Sequence, residues 1–535
     1  MPAVPVDAPE PAPAPRRRFA STVPEGELPP LSGSALLFGS LALALATFMN
    51  VLDTAIANVS IPAIAGDMGV SPNQGTWVIT SFAVANAISV PLTGWLTQRF
   101  GQVRLFTASV LLFVLASFLC GFATSLPALI AFRIVQGAVA GPMIPLSQSL
   151  LLASYPKARA GTALAVWGMT TLVAPVVGPL LGGWITDSYS WPWIFYINIP
   201  IGLAAAAATW MLYRERESAT RRLPIDTVGL GLLVLWVGAM QVMLDKGKDL
   251  DWFNSPEIVV LGLVAVVGFA VFIAWELTED HPVVDLSLFR RRNFWTGTLA
   301  LSLGFGAFFG NLVLLPLWLQ QYMGYTSTLA GMVLAPVGIF AIALSPYVGR
   351  KIGTSDPRKL ATVAFAAFGI VLWMRSWFDT DADFVTILVP TIVQGIAMAF
   401  FFTPLVSLTL SGLPPEKIPA ASGLSNFARI TAGAVGASLA TTLWENRQAL
   451  HHAQLSEAIQ PANAVATGVL ARLQAGGLDP QQALAVVNRL IDQQAAMLGA
   501  NDLFRASAWL FLLLIPVVWL ARPVKGGPRH VVAAE

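Results

Sequence analysis

Two opposite charges stand inside stretches of this sequence that are otherwise apolar. Asp53 lies in Met49-Asn50-Val51-Leu52-Asp53-Thr54-Ala55-Ile56, and Arg133 in Leu129-Ile130-Ala131-Phe132-Arg133-Ile134-Val135. A carboxylate in a low-dielectric setting has a proton affinity that answers to a nearby cation and to water access. That is the chemistry a proton-coupled carrier needs. The same residue types also allow a static ion pair that pins two helices, so both readings stand. Gln136, one turn after Arg133, could hydrogen-bond a substrate or the carboxylate. Other chemistries lack their residues. The chain holds no HExxH, no GxSxG and no GxxxxGK[ST], so zinc hydrolysis, a serine nucleophile elbow and P-loop ATP use are not expected. Cys120 is the single cysteine, which excludes an intramolecular disulfide and makes a cysteine metal cluster implausible. No catalytic residue, metal ligand or cofactor is expected; a proton gradient would be the energy source.

The elements that must position these residues follow from composition. Of 535 residues 56% are hydrophobic and 11% charged, against roughly 25% charged in soluble domains. The net charge of +2 argues against a nucleic-acid partner. This pattern predicts an all-α polytopic membrane protein. A window of about 19 residues gives fourteen spans, near 35–61, 75–97, 103–122, 126–148, 161–186, 193–213, 226–244, 257–276, 294–319, 328–349, 359–377, 384–410, 421–443 and 504–522. With the N-terminus inside, the outer loops hold only Lys246, Lys248, Arg447, Arg472 and Arg489, and most other Lys and Arg fall in cytoplasmic loops and tails. The positive-inside rule is then obeyed throughout, with both termini cytoplasmic.

The expected organisation is a disordered tail (1–34), an N-terminal six-helix bundle (35–213), an inserted transmembrane hairpin (226–276), a C-terminal six-helix bundle (294–522) and a short tail (523–535). An internal repeat supports the two bundles. Val135-Gln136-Gly137 recurs as Val393-Gln394-Gly395, and Ala174-Pro175-Val176-Val177-Gly178 lines up with Ala432-Gly433-Ala434-Val435-Gly436. Pro91 and Gly94 recur, slightly out of step, as Pro346 and Gly349. In this register Asn311 stands where Asp53 does and Thr391 where Arg133 does, so charge-based chemistry belongs to the first half.

Three further features carry readings. Pro175, Gly178, Pro179, Gly182 and Gly183 combine helix kinking with close backbone approach, which suits a pliable contact between bundles that part and re-form. The aromatic runs Phe305, Phe308, Phe309 and Phe400, Phe401, Phe402, with Trp167, could line a greasy substrate cavity or face lipid. Residues 444–503 read as a long outer loop with short amphipathic helices, either a solvated cap or a docking surface.

Leu52-Asp53-Thr54-Ala55-Ile56-Ala57-Asn58-Val59-Ser60-Ile61-Pro62 resembles the first-span signature of the fourteen-helix drug:proton antiporters of the major facilitator superfamily. Arg133-Ile134-Val135-Gln136-Gly137 resembles that superfamily's span-4 motif, and the Gly178-Pro179 run its antiporter motif, with Ala174 in place of the usual glycine. Gly94-Trp95-Leu96-Thr97-Gln98-Arg99-Phe100-Gly101 resembles the loop 2–3 motif, except that Gln98 stands where an acid is usual. Gln74–Phe82 and Trp193–Pro200 narrow the resemblance to EmrB-type exporters. It implies a major facilitator fold and export of lipophilic drugs across a bacterial inner membrane in exchange for protons. It also implies an EmrA-like periplasmic adaptor and a TolC-like outer-membrane channel. Asp53 and Arg133 would carry the proton coupling, with Gln136, Trp167, Asn311 and Phe402 as candidate substrate contacts. A proton-coupled importer of one metabolite is the alternative within transport; a membrane-embedded enzyme is the alternative from another class.

Overall fold

The computed structural model describes residues 29–523, apart from 157–158, 222–223, 353, 458 and 461–462, and contains no strand among them. Each expected span coincides with a helix. These are α1 (Gly33–Asp67), α2 (Trp77–Phe100), α3 (Gln102–Gly121), α4 (Leu126–Ser154), α5 (Ala160–Ser188), α6 (Trp193–Arg216), α7 (Thr227–Lys246), α8 (Pro256–Thr278), α9 (Arg292–Tyr322), α10 (Ser327–Ile352), α11 (Pro357–Arg375), α12 (Phe384–Leu410) and α13 (Ile418–Ser456), then a short α14 (Ala464–Ala475) and finally α15 (Pro480–Trp519). Among the described residues twelve are long and apolar enough to cross a membrane. The two remaining places are filled by α5 and α13, of 29 and 39 residues, which are not among the twelve. Along α13 the apolar pattern is diluted by Ser422, Ser425, Asn426, Arg429 and Thr431.

Helices α1 to α6 pack mainly on one another, as do α9 to α13 with α15, while α7 and α8 pair together and lean on α2 and α13. The repeat read from sequence recurs as packing. Gly137 of α4 admits the Phe82 carbonyl of α2, and Gly395 of α12 admits the Pro336 carbonyl of α10, which an added Cβ would meet at 2.8 Å. Small residues serve this purpose in membrane helices because they let backbones approach.

The halves meet at the end of the molecule that holds the α2–α3 and α10–α11 turns. An added Cβ on Gly94 would stand 2.5 Å from Ala420 Cβ of α13, and one on Gly349 of α10 2.8 Å from the Gly161 carbonyl of α5. Beside them Gln148 Oε1 of α4 accepts from Ser422 Oγ and, at 3.3 Å, from Asn426 Nδ2. The Pro-x-x-Gly pair of the repeat is therefore the contact between halves, used once from each side.

Two expectations are corrected here. The segment 444–503 is not a loop. It consists of the continuations of α13 and α15, with α14 between them. At 1.5 Å per residue these helices of 39 and 40 residues run to about 60 Å, roughly twice the hydrocarbon thickness. Trp444 Nε1 donates to Ala496 O (2.8 Å) and His451 pairs with Asp502 (2.8 Å), so the extensions grip each other. Gln448 donates to Tyr322 Oη (2.7 Å) and Gln493 to Tyr322 O (2.9 Å), which ties them to the end of α9. The expected tail 1–34 is also shorter. Leu31 N reaches Ser154 O at 3.0 Å, and α1 begins at Gly33. Residues 1–28 and 524–535, which hold most of the two expected tails, lie outside the described residues.

Candidate functional site

Asp53 sits in the middle of α1, fourteen residues from its C-terminal end rather than the eight that a shorter span implied, and is 2% exposed. Arg133 of α4 is fully buried and its Nη1 lies 2.5 Å from Asp53 Oδ2. The same Nη1 donates to Gln136 Oε1 (2.7 Å), and Arg133 Nε donates to Val78 O of α2 (3.0 Å). The second carboxylate oxygen, Asp53 Oδ1, accepts from Asn198 Nδ2 of α6 (2.8 Å) and Gln136 Nε2 (3.2 Å). Ser117 of α3 closes the ring, accepting from both amides and donating to Phe195 O at 2.9 Å. The guanidinium also lies over the Phe82 ring, 4.2 Å from its centroid.

Five helices thus contribute to one cluster around the Asp53 carboxylate, which α4 and α6 touch directly. A charge at membrane depth costs at least ~2.5 kcal/mol unless it is paired, and here each charge has a partner plus hydrogen bonds from neutral groups. Two buried atoms of the cluster, Arg133 Nη2 and Asn198 Oδ1, have no hydrogen-bond partner among the described residues. Gln136 is therefore a ligand of the carboxylate in this conformation and faces no open cavity.

Asn198 and Ser117 were missed by sequence reasoning. Asn198 carried a signal, since it is the polar residue at the head of an otherwise apolar span; a serine in an apolar helix gives none. Glu276 near the end of α8 was missed too. It is buried, and its Oε2 accepts from Val284 N at 3.0 Å.

The glycine run of α5 belongs to this site and not to the contact between halves. An added Cβ on Gly178 would collide with Ala55 of α1, and one on Gly182 would stand 3.1 Å from Ile56 O, two and three residues beyond Asp53. The expected contact between bundles is thereby corrected: the glycines face α1 of their own half. Gly183 meets nothing within 4 Å. The helix backbone runs through Pro175 and Pro179, whose side chains lie outside the described residues.

The aromatic residues gather in the second half and are mostly buried. Phe402 (3% exposed) lies 5.9 Å from Phe305 and 5.2 Å from Phe401 between ring centroids. Arg429 of α13 stacks over Phe305 (4.7 Å) and Phe402 (5.5 Å) and donates to Asn426 Oδ1 at 3.0 Å. No carboxylate pairs with it among the described residues. Trp167 of α5 is 1% exposed, and its indole Nε1 has no hydrogen-bond partner among the described residues. Arg375, also buried and without a carboxylate partner among the described residues, donates to Thr391 (3.1 Å) and Gln394 (2.6 Å), the counterparts of Arg133 and Gln136. Asn311, the counterpart of Asp53, spends its Nδ2 on Ala307 O (2.7 Å) and Ser507 Oγ (3.0 Å).

The family profile of the Major Facilitator Superfamily matches residues 43–437. The chain is 52% identical over 498 residues to the multidrug export protein EmrB of Escherichia coli (strain K12), covering 93% of this chain and 97% of that one. It is 52% identical over 506 residues to the fatty acid resistance protein FarB of Neisseria gonorrhoeae, covering 94% and 100%. Among solved structures it resembles the human organic anion transporter MFSD10, with a TM-score of 0.58, 14% identity and 90% and 99% of the two chains covered. The xylose symporter XylE gives 0.57 at 14% identity, covering 92% and 97%. At such identities the likeness concerns the fold, which is that of two helical bundles. Signature residues, packing repeat and relatives agree: the chain belongs to the major facilitator superfamily and, within it, to the EmrB family of membrane transporters.

Proposed function

We propose that this protein is a proton-driven exporter of lipophilic toxic compounds, with Asp53 as the group that takes and releases the proton. The observation that carries this reading is a carboxylate buried in the middle of α1 whose two oxygens are both held, one by Arg133 and one by Asn198 and Gln136. Protonating Asp53 discharges the pair and turns one of its two oxygens from an acceptor into a donor, so the donors held on that oxygen must find another partner. The carboxylate lies on the helix that α5 touches backbone-close at Gly178 and Gly182, and α5 touches the other half at Gly161. A change at Asp53 thus has a short mechanical route, α1 to α5 to α10. Arg429, buried beside Phe305 and Phe402 without a carboxylate partner, favours neutral or anionic cargo over dications.

In this reading both termini face the cytoplasm, the membrane is a bacterial inner membrane, and the α13–α15 extension projects outward. The extension then serves as the dock for a periplasmic adaptor of the EmrA kind, leading to an outer-membrane channel of the TolC kind. The basic inner loops and the exposed Val465, Leu484 and Leu490 support this orientation and use. The test is dye transport in inverted vesicles with an imposed pH gradient. Asp53→Asn keeps size and hydrogen bonding but cannot titrate, and is expected to abolish gradient-driven transport in a folded protein. Undiminished transport would overturn the assignment.

A further inference from the structure

Between the α7–α8 hairpin and the face formed by α9, α13 and α15 lies a cleft of about 1120 Å³. Met240, Met243 and Gly262 form one wall, and Gly306, Asn311 and Gly436 lie on the opposite one. It opens on side chains that are bare in the structure, such as Leu263 (64% exposed) and Val266 (69%). On a membrane span such side chains face lipid. Among the described residues no ionisable side chain lines it.

Asn311, Thr431 and Ser507 interrupt this apolar surface. Asn311 is 4% exposed, and its Nδ2 is committed to Ala307 O and Ser507 Oγ, which fixes the amide so that Oδ1 is the free end. Among the described residues that buried oxygen has no donor, and the hydroxyl of Thr431, also on the cleft wall, is buried without a partner. A buried acceptor left unmatched costs about 1–3 kcal/mol, and an occupant that brings a donor would match it. Phosphate and ester oxygens of a phospholipid are acceptors and would face Asn311 oxygen to oxygen. An ammonium head would bring its charge to a wall with no counter-charge.

We propose that this cleft is a lateral binding site for a membrane-dissolved lipophile with an uncharged hydrogen-bond donor, an alcohol, a phenol or a protonated carboxylic acid, whose donor is taken by Asn311 Oδ1. The apolar body lies along α7, α8 and α13. Only the claim that this occupant is cargo rests on the export reading; the binding site stands without it.

The test uses the full-length protein in lipid nanodiscs and a long-chain alcohol bearing a photoreactive diazirine, with its methyl ether as the donor-free control. The alcohol is expected to label α7 and α13 residues of the cleft roughly five times more than the ether, the worth of one neutral hydrogen bond. Asn311→Leu should bring that ratio to about one while leaving ether labelling intact. Gly262→Trp, which fills the cleft, should remove both. Equal labelling by alcohol and ether in the unaltered protein would overturn the proposal, leaving a groove for any chain. So would a preference that survives Asn311→Leu. Asp53→Asn should label normally while losing transport, so a failure of the export reading shows in vesicles and a failure of the cleft shows in the labelling ratio. For cargo, the alcohol should compete with dye efflux by the unaltered protein and not by Asn311→Leu. Labelling without competition would overturn the cargo claim alone.

Discussion

At the scale of single residues, the Asp53–Arg133 pair has no spare solvent to fall back on. Removing one partner of a buried pair costs about 3–5 kcal/mol, because the other charge is left uncompensated. Arg133→Gln should therefore lower thermal stability in detergent by such an amount, and Asp53→Asn combined with Arg133→Gln should cost clearly less than the sum of the two singles. A strictly additive double variant would show that the two side chains do not compensate each other. Asn198 is expected to matter for a different reason. Its amide reaches Asp53 Oδ1 at 2.8 Å and Ser117 at 3.0 Å, so Asn198→Leu should move the pH profile of transport, while Asn58→Leu on α1, whose amide donates to Thr54 O of its own helix, should not. Asp53 and Arg133 were legible in the sequence because a charge in an apolar run is expensive and therefore conspicuous. Ser117 was not, since a hydroxyl can satisfy itself on its own helix and its presence there says nothing about a partner.

At the scale of elements, α5 and α13 are the helices whose behaviour departs most from a simple span. Gly178 and Gly182 let α5 lie against α1 at backbone distance, so Gly178→Leu should wedge the two apart and reduce transport at least tenfold with dye binding retained. Retained transport would mean that the close approach is not needed. Sequence patterning located both helices but assigned the glycines to the wrong neighbour. Small residues announce that something comes close and never which helix it is. The same limit applies to 444–503. Ala, Gln and Leu at helical spacing gave the helices, yet nothing local told that they continue α13 and α15 without a break. Because Trp444, Gln448 and Gln493 anchor the lower part of that segment, only its tip is dispensable to the carrier. Replacing 457–479 with a Gly/Ser linker should preserve transport in vesicles and abolish drug resistance in double-membrane cells. Retained resistance at equal expression would remove the tip from any docking role.

At the scale of the whole molecule, the two halves are joined tightly at one end, through Gly94 against Ala420, Gly349 against Gly161, and Gln148 with Ser422 and Asn426. In the proposed orientation this end is cytoplasmic, so the structure is sealed toward the cytoplasm. Gln148→Cys with Ser422→Cys, at side chains already in contact across the halves and in a background where Cys120 is replaced by Ala, should be bridged by a short thiol-reactive cross-linker and stop transport, with activity restored when reductant cleaves the bridge. Free transport in the fully cross-linked protein would show that these helices need not separate. The repeat in the sequence pointed to Gly94 and Gly349, since the Pro91–Gly94 pattern near the end of α2 recurs as Pro346–Gly349 near the end of α10. What it could not give was that each copy packs on the opposite half, because pairing across a pseudo-symmetric interface is decided by the three-dimensional arrangement and leaves no local pattern.

The continuity of α13 has a mechanical consequence. One unbroken helix carries the Gln148 contact at Ser422, the Arg429 ring stack, the close approach of Gly436 to Gly306 and, beyond these, the extension to Ser456. Taken as a rigid rod pivoting at Gly436, its outer arm of twenty residues is about 30 Å long. A tilt that shifts Ser422 by about 3 Å would swing the far tip by about 4 Å in the opposite direction. Any protein seated on that tip would thus be worked like the load on a lever once per transport cycle, so it would have to follow the stroke or resist it.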